Sequence, residues 1–329
     1  MNLPELDHLE ALIERLGERA RVTTLAEADG LPIYGLEMGS EDVEAPCLLL
    51  VGGVHGLERI GTSVVLAYLG TLAERLQWDA LTRDALDKGR VAAVPLLNPV
   101  GMRAGTRCNG HGVDLMRDGP TRGNGTGSFL VGGQRLSPRL PWYMGDEGEL
   151  EVESRALIDF VTNRVLPARA AVALDVHSGF GFVDRLWFPY AWSPKPFPNT
   201  AEVYALYELL NQTLPHHVYH TEPQSRAYTI DGDLWDHLYD ESRSGEGLFL
   251  PMTLEMGSWT WVRKNPRQLL SLPGSFNPIK RHRLRRTLRR HLLLIDFLHR
   301  ATIGYDAWGS LDESQRERCW SSAVNLWFT

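Results

Sequence analysis

The run Cys47-Leu48-Leu49-Leu50-Val51-Gly52-Gly53-Val54-His55-Gly56-Leu57-Glu58-Arg59-Ile60-Gly61 decides how this chain folds. Its apolar start reads as a short buried strand, and Gly52-Gly53 ends it, because glycine adopts backbone angles that other residues resist. From Ile60 to about Gln77 the apolar residues recur at helical spacing, so the segment predicts a strand, a tight turn and a helix. With Glu58 in the first helical turn, its carboxylate reaches the same point as the His55 ring. Zinc accepts such a nitrogen and oxygen pair, and a catalytic zinc site adds a third protein ligand while leaving one position open for water. The competing reading is a turn histidine followed by a helix-start glutamate stabilised by the dipole.

Two other apolar runs end in polar residues. Val172-Ala173-Leu174-Asp175-Val176-His177-Ser178-Gly179 places His177 at the carboxyl end of a strand, and Phe249-Leu250-Pro251-Met252-Thr253-Leu254-Glu255-Met256-Gly257 does the same for Glu255. Open α/β sheets bind ligands in the crevice beyond the carboxyl ends of their strands, so these residues point at one place. A fourth strand, Arg90 to Pro99, leads into the glycine-rich stretch from Gly101 to Arg117, which supplies cations.

These segments, taken in order from residue 52 to residue 257, resemble the zinc carboxypeptidase family. Its pattern runs H-x-x-E, N-P-x-G, R-x-N-x-x-G-V-D-L-N-R, H-S and finally a T-x-E strand. The resemblance implies an α/β fold, a mixed sheet flanked by helices of the phosphorylase/hydrolase-like kind, forming a single domain over residues 1–329. It implies one zinc ion per chain, held by His55, Glu58 and His177, with a water at the open position. Glu255 is the implied general base, Arg107 the implied stabiliser of the oxyanion, and Arg117 the implied grip on a substrate carboxylate. Asp114 is implied to orient His55, and Tyr228 to cap the substrate. The implied activity is hydrolysis of an amide bond beside a carboxylate-bearing residue, as in a bacterial-type carboxypeptidase or murein-peptide amidase. The alternatives are an N-acyl amino acid hydrolase of the aspartoacylase and succinylglutamate desuccinylase type, or a silent binding protein that kept the pocket.

Several residues carry a second reading. Arg103 competes with Arg107, and only the R-x-N spacing favours the latter. Asp175, two residues before His177, points to the same sheet face and is either a partner of that histidine or an ordinary structural acceptor. His111 and His220 lie among loop residues and read as solvated. Cys108 lies near the implied site without a histidine base and reads as a bystander thiol.

The departures from the family pattern bear on substrate. Met116 stands where the family has asparagine beside the carboxylate-binding arginine, and it donates no hydrogen bond. Arg122, in the glycine-rich loop 119–127, is a candidate replacement donor, and a solvated surface loop is the simpler reading. Asp231, Asp233 and Asp236 either pair with an amine or guanidinium on the substrate, as in cell-wall tripeptides bearing diaminopimelate, or cap a helix.

Composition frames the rest. A chain of 329 residues, 43% hydrophobic, holds a large core. Its net charge of -7 argues against nucleic acid as a general partner. The acidic N-terminus lacks the features of a signal peptide, and no apolar run approaches the ~20 residues a membrane span needs, so the expectation is no membrane partner. Cys47, Cys108 and Cys319 lack metal-type spacing and suit reduced thiols in a cytoplasm. The N-terminal portion, 1–40, predicts a helix from about Glu5 to Arg19, then strands at Arg21–Thr24 and Pro32–Glu37. The segment 278–302 predicts a basic amphipathic helix with Leu284, Leu288, Leu292 and Ile295 on its packed face, and its arginine stripe reads as a solvated face, with phosphates or a membrane surface as the competing partners. Trp187, Trp192, Trp235, Trp259 and Trp261 are cleft or core candidates, and 187–219 reads as an insertion after the third ligand.

Overall fold

The computed structural model describes residues 3–120, 127–179 and 181–329. Its strands are β1 (Arg21–Ala28), β2 (Leu31–Gly39), β3 (Cys47–Gly52), β4 (Arg90–Val94), β5 (Ala170–Gly179), β6 (Arg185–Phe188), β7 (His220–Pro223) and β8 (Leu248–Gly257). They form one mixed sheet in the order β1-β2-β4-β3-β5-β8-β6-β7. The central β4-β3-β5-β8 block is parallel, and β2 and β6 join it antiparallel on either side. Both faces of β3 and β4, and of β5 up to Ser178, are buried, which is why their sequences are continuous apolar runs. This is the helix-flanked mixed sheet that the family resemblance implies.

The strand order switches at β3, since β4 lies on one side of it and β5 on the other. The carboxyl ends of β3 and β5 therefore border the crevice of the switch point. His55 follows β3, His177 lies in β5, and the β5–β8 register sets His177 beside Glu255.

The helix Arg59–Trp78 packs on β3, on β5 and on the helix Arg281–Ile303. Ile295 is fully buried, and Leu284, Leu288 and Leu292 pack against the core, as their spacing predicts. Two glycines set how closely the chain approaches itself here. A Cβ on Gly61, in the first turn of Arg59–Trp78, would overlap the carbonyl oxygen of Val176 next to His177. A Cβ on Gly56 would overlap the backbone of Gly101 and Met102.

Elsewhere the structure extends the sequence reading. The first helix is Pro4–Leu16, followed by a 3-10 turn, Gly17–Arg19. β1 and β2 run longer than the predicted strands because Asp29 and Gly30, at φ 46° and 71°, form a two-residue hairpin that keeps the ladder paired to Ala28↔Leu31. Residues 187–219 are part of the fold rather than an appendage. They include the second half of β6, which pairs with β8, and the helix Thr200–Thr213, which packs on a terminal helix, Glu313–Trp327. Trp327 sits 4.7 Å from the Phe188 ring and against Tyr204 and Tyr207.

Gly61→Ala should push the helix start away from β5 and lower the unfolding free energy by about 1–3 kcal/mol. Urea unfolding checks this, and an unchanged midpoint would contradict the close packing.

Candidate active site

The turn after β3 is held by asparagines. Leu97 N and Asn98 N donate to the carbonyls of Gly52 and Gly53, at 3.0 and 2.9 Å. The Asn98 amide donates to Val54 O at 3.2 Å and accepts from Gly101 N at 2.8 Å. The N-P-x-G pattern is thus a clamp across the turn that carries His55. On the other side, Asn277 Oδ1 accepts from Ile60 N at 2.9 Å, and its amide donates to Leu57 O at 2.7 Å. This caps the helix from outside, because its first N–H groups have no partner within the helix. Glu58 occupies the N-cap position yet makes no capping bond. Its Oε2 accepts from Ser178 N at 2.9 Å and lies 3.2 Å from His177 Nδ1.

His55, Glu58 and His177 are buried, with ligand atoms all within 4.8 Å of one another. The two imidazoles meet edge to face, with centroids 4.9 Å apart. His55 Nδ1 is buried without a hydrogen bond, and Asp114 Oδ1 lies 3.7 Å from it. A buried polar atom without a partner calls for an explanation. Two imidazoles and a carboxylate form a zinc donor set, so these residues fit the ion the family implies. Burial and the Arg107 charge hold His55 well below the usual histidine range, in the neutral form a metal needs. Burial also pulls on His177, but Asp175 and Glu58 outweigh it and raise its pKa well above the usual value.

Two carboxylates support this group. Asp175 Oδ2 accepts from Trp235 Nε1 at 2.9 Å and lies 2.7 Å from His177 Nε2, which settles Asp175 as the partner of that histidine. Asp114, expected to orient His55, makes its close contact with Arg107 instead, accepting from Nε at 2.8 Å. Burial opposes the charge on Asp114, but Arg107, His55 and Arg117 hold its pKa well below the usual carboxylate range. Glu255 has room because Gly179 has no Cβ to overlap its carboxylate. Burial, and then the Glu58 charge, push Glu255 up to about 8.

All of the expected contact residues meet in one cavity of about 350 Å³, lined by His55, Glu58, His177, Glu255, Arg107, Arg117 and Tyr228. Among its described lining residues Arg107 is present and Arg103 is not. Tyr228 packs edge-on to Trp187 with centroids 6.2 Å apart. Arg117 spends Nε and one terminal nitrogen on Val131 O, at 3.1 and 2.9 Å, and the other on Met116 O at 3.3 Å. Arg122 lies outside the described residues. Asp233 caps the helix Leu234–Ser242 through Trp235 N and Asp236 N, and Asp236 accepts from Ala191 N and Trp192 N. These two aspartates are therefore helix and loop acceptors, which weakens the reading of an amine on the substrate. Much of the remaining wall is apolar, from Trp142, Trp187, Phe188, Trp235 and Phe276. Trp142 and Phe276 lie in stretches without periodicity, and no sequence signal marked them. Trp261 belongs to the core. Burial pushes the Cys108 thiol up to about 11, as suits a bystander, and exposed His111 pairs with Glu151 at 2.7 Å.

Asp175→Asn keeps the shape and loses the charge behind His177. Zinc affinity should fall about 10–100-fold with the fold retained; competition with a chromophoric chelator measures it, and unchanged affinity would contradict the role.

Human carboxypeptidase B is 26% identical over 187 residues, 54% of this chain and 43% of that protein. The chain thus spans less than half of that relative's length. Among solved structures, bovine thrombin-activatable fibrinolysis inhibitor superposes with a TM-score of 0.68 at 17% identity, covering 93% of this chain and 98% of that one. Carboxypeptidase A from Helicoverpa armigera gives 0.68 at 16% identity, covering 90% and 71%. At these identities the superpositions speak to fold alone. The zinc carboxypeptidase family model matches residues 6–260, and on that match, with the His-Glu-His group in place, the chain belongs to the zinc carboxypeptidase family.

Proposed function

We propose that this chain is a zinc-dependent hydrolase of the carboxypeptidase type, one zinc ion per chain, cleaving the amide bond that precedes a residue with a free carboxylate and an apolar side chain. The meeting of His55, Glu58, His177, Glu255, Arg107 and Arg117 in one cavity carries this reading. A zinc ion held by the first three would supply Lewis acidity and lower the pKa of the attacking water toward about 7. Glu255 takes the proton from that water and returns it to the leaving amine. Its raised pKa, about 8, lies near the range useful to a base at neutral pH. Arg107 is kept charged by Asp114 and Glu58 against the pull of burial, and it faces the negative charge that develops on the carbonyl oxygen.

Arg117 receives the substrate carboxylate with the N–H groups that Val131 and Met116 leave open. Tyr228 closes the cavity over the substrate. Trp142, Trp187, Phe188 and Phe276 surround its side chain, and the volume suits a small ligand. Three free cysteines fit a cytoplasmic setting, which is part of the proposal.

A second reading, an N-acyl amino acid hydrolase, would use the same His-Glu-His group and also present a free carboxylate to Arg117, so Met116 and the donors Arg117 spends on the carbonyls of Val131 and Met116 bear equally on the two readings. Both features leave a carboxylate with fewer donors.

Zinc-loaded protein should turn over peptides with an apolar last residue and a free C-terminus, and spare their amides and murein tripeptides. Glu255→Gln should lower kcat by about 10²–10⁴-fold while zinc stays bound, and full activity of that variant would contradict the mechanism. Turnover of N-acyl amino acids alone would select the second reading. Chelation should abolish turnover and added zinc restore it, and activity that survives chelation would contradict a metal-dependent reaction.

A further inference from the structure

Between Ser258 and Ile295 the sequence holds ten Lys and Arg residues and no Asp or Glu, in a chain whose net charge is -7. Arg290 pairs with Asp184, and Arg283 donates to Trp261 O, Lys264 O and Gln268 Oε1. The other eight cations are Arg263, Lys264, Arg267, Lys280, Arg281, Arg285, Arg286 and Arg289, and all are exposed. Among the described residues none of them forms an ion pair. Arg281, Arg285 and Arg289 repeat at i, i+4 on one stripe of the helix Arg281–Ile303, an arrangement whose mutual repulsion destabilises a helix.

The same stretch exposes large apolar side chains. Leu270 is 89% exposed, Leu272 59%, Ile279 57% and Leu269 52%. The bonds of Arg283 tie the start of the basic helix to the segment carrying Trp261, Lys264 and Gln268, so cations and leucines share one region of the surface. Cations alone suit any polyanion. Leucines protruding among cations suit a surface that takes up both, which is the headgroup and acyl boundary of a bilayer bearing anionic phospholipid.

We infer that this surface docks the protein onto an anionic phospholipid bilayer, with Leu269, Leu270 and Leu272 entering the boundary and the arginine stripe lying over the headgroups. No described helix is long and apolar enough to cross a membrane, so the association is peripheral. The docking segment is continuous with the site: Phe276 forms part of the cavity wall, and Asn277 caps the helix that follows Glu58. Docking therefore holds the cavity close to the bilayer surface.

Sedimentation with vesicles of phosphatidylglycerol and phosphatidylcholine in equal parts, against pure phosphatidylcholine, tests the inference. Full-length protein should bind the anionic vesicles at low salt, release at high salt, and ignore the neutral ones. The triple variant R281Q/R285Q/R289Q should weaken binding by at least about tenfold. Leu270→Gln, at an exposed position that does not support the fold, should weaken vesicle binding by about tenfold and leave retention on heparin unchanged. No preference for anionic vesicles would overturn the inference. So would arginine-dependent binding that ignores Leu270 and is matched on duplex DNA, because the surface would then read polyanions in general.

Discussion

Asn277 accepts a hydrogen bond from Ile60 N and donates one to Leu57 O, and this pair of contacts frees Glu58. A glutamate at the start of a helix ordinarily serves that helix, by capping it or by offsetting its dipole. Here the cap comes from a distant segment, and the carboxylate turns toward Ser178 and His177. The close approach of the helix to β5, which Gly61 permits, keeps that reach short. The metal group is therefore a product of tertiary packing around a turn, rather than of the turn alone.

Burial makes the electrostatics of the group consequential. Glu58, Asp114 and Asp175 are withdrawn from water, and Glu255 is half-buried, near two histidines and two guanidinium groups. Buried charges cost several kcal/mol each unless paired. Asp114 is paired with Arg107, and Asp175 is held by Trp235 and His177. Glu255 has neighbours that raise its pKa, the Glu58 carboxylate first among them. His55 Nδ1 remains without a partner. A divalent cation among His55, Glu58 and His177 answers both conditions, giving the imidazole a partner and the Glu58 charge a counterion.

Much of this was legible in the sequence because buried parallel strands are continuous apolar runs whose ends are marked by glycine. Those ends located His55, His177 and Glu255, and the ordered motifs located Glu58, Arg107, Asp114 and Arg117. What the sequence left open depends on long-range contacts. Asn277 acts on residues more than two hundred positions away, and Asp114 and Asp175 exchange their expected emphasis because Arg107 and Trp235 claim them. Asp233 and Asp236 carried two readings, and only the placement of Ala191 and Trp192 beside the helix start decides between them. The longer β1 and β2 follow from Asp29-Gly30, a local two-residue turn that keeps the strands paired up to Ala28↔Leu31.

The central claim is that His55, Glu58 and His177 together hold a metal ion. X-ray absorption at the zinc edge of dialysed, zinc-loaded protein tests it most directly. The account predicts about one zinc per chain with a first shell of nitrogen and oxygen, including the outer-shell signature of two imidazoles that disappears in part when His177 is replaced by alanine. Zinc lost on dialysis, or a first shell containing sulfur from Cys108, would contradict it.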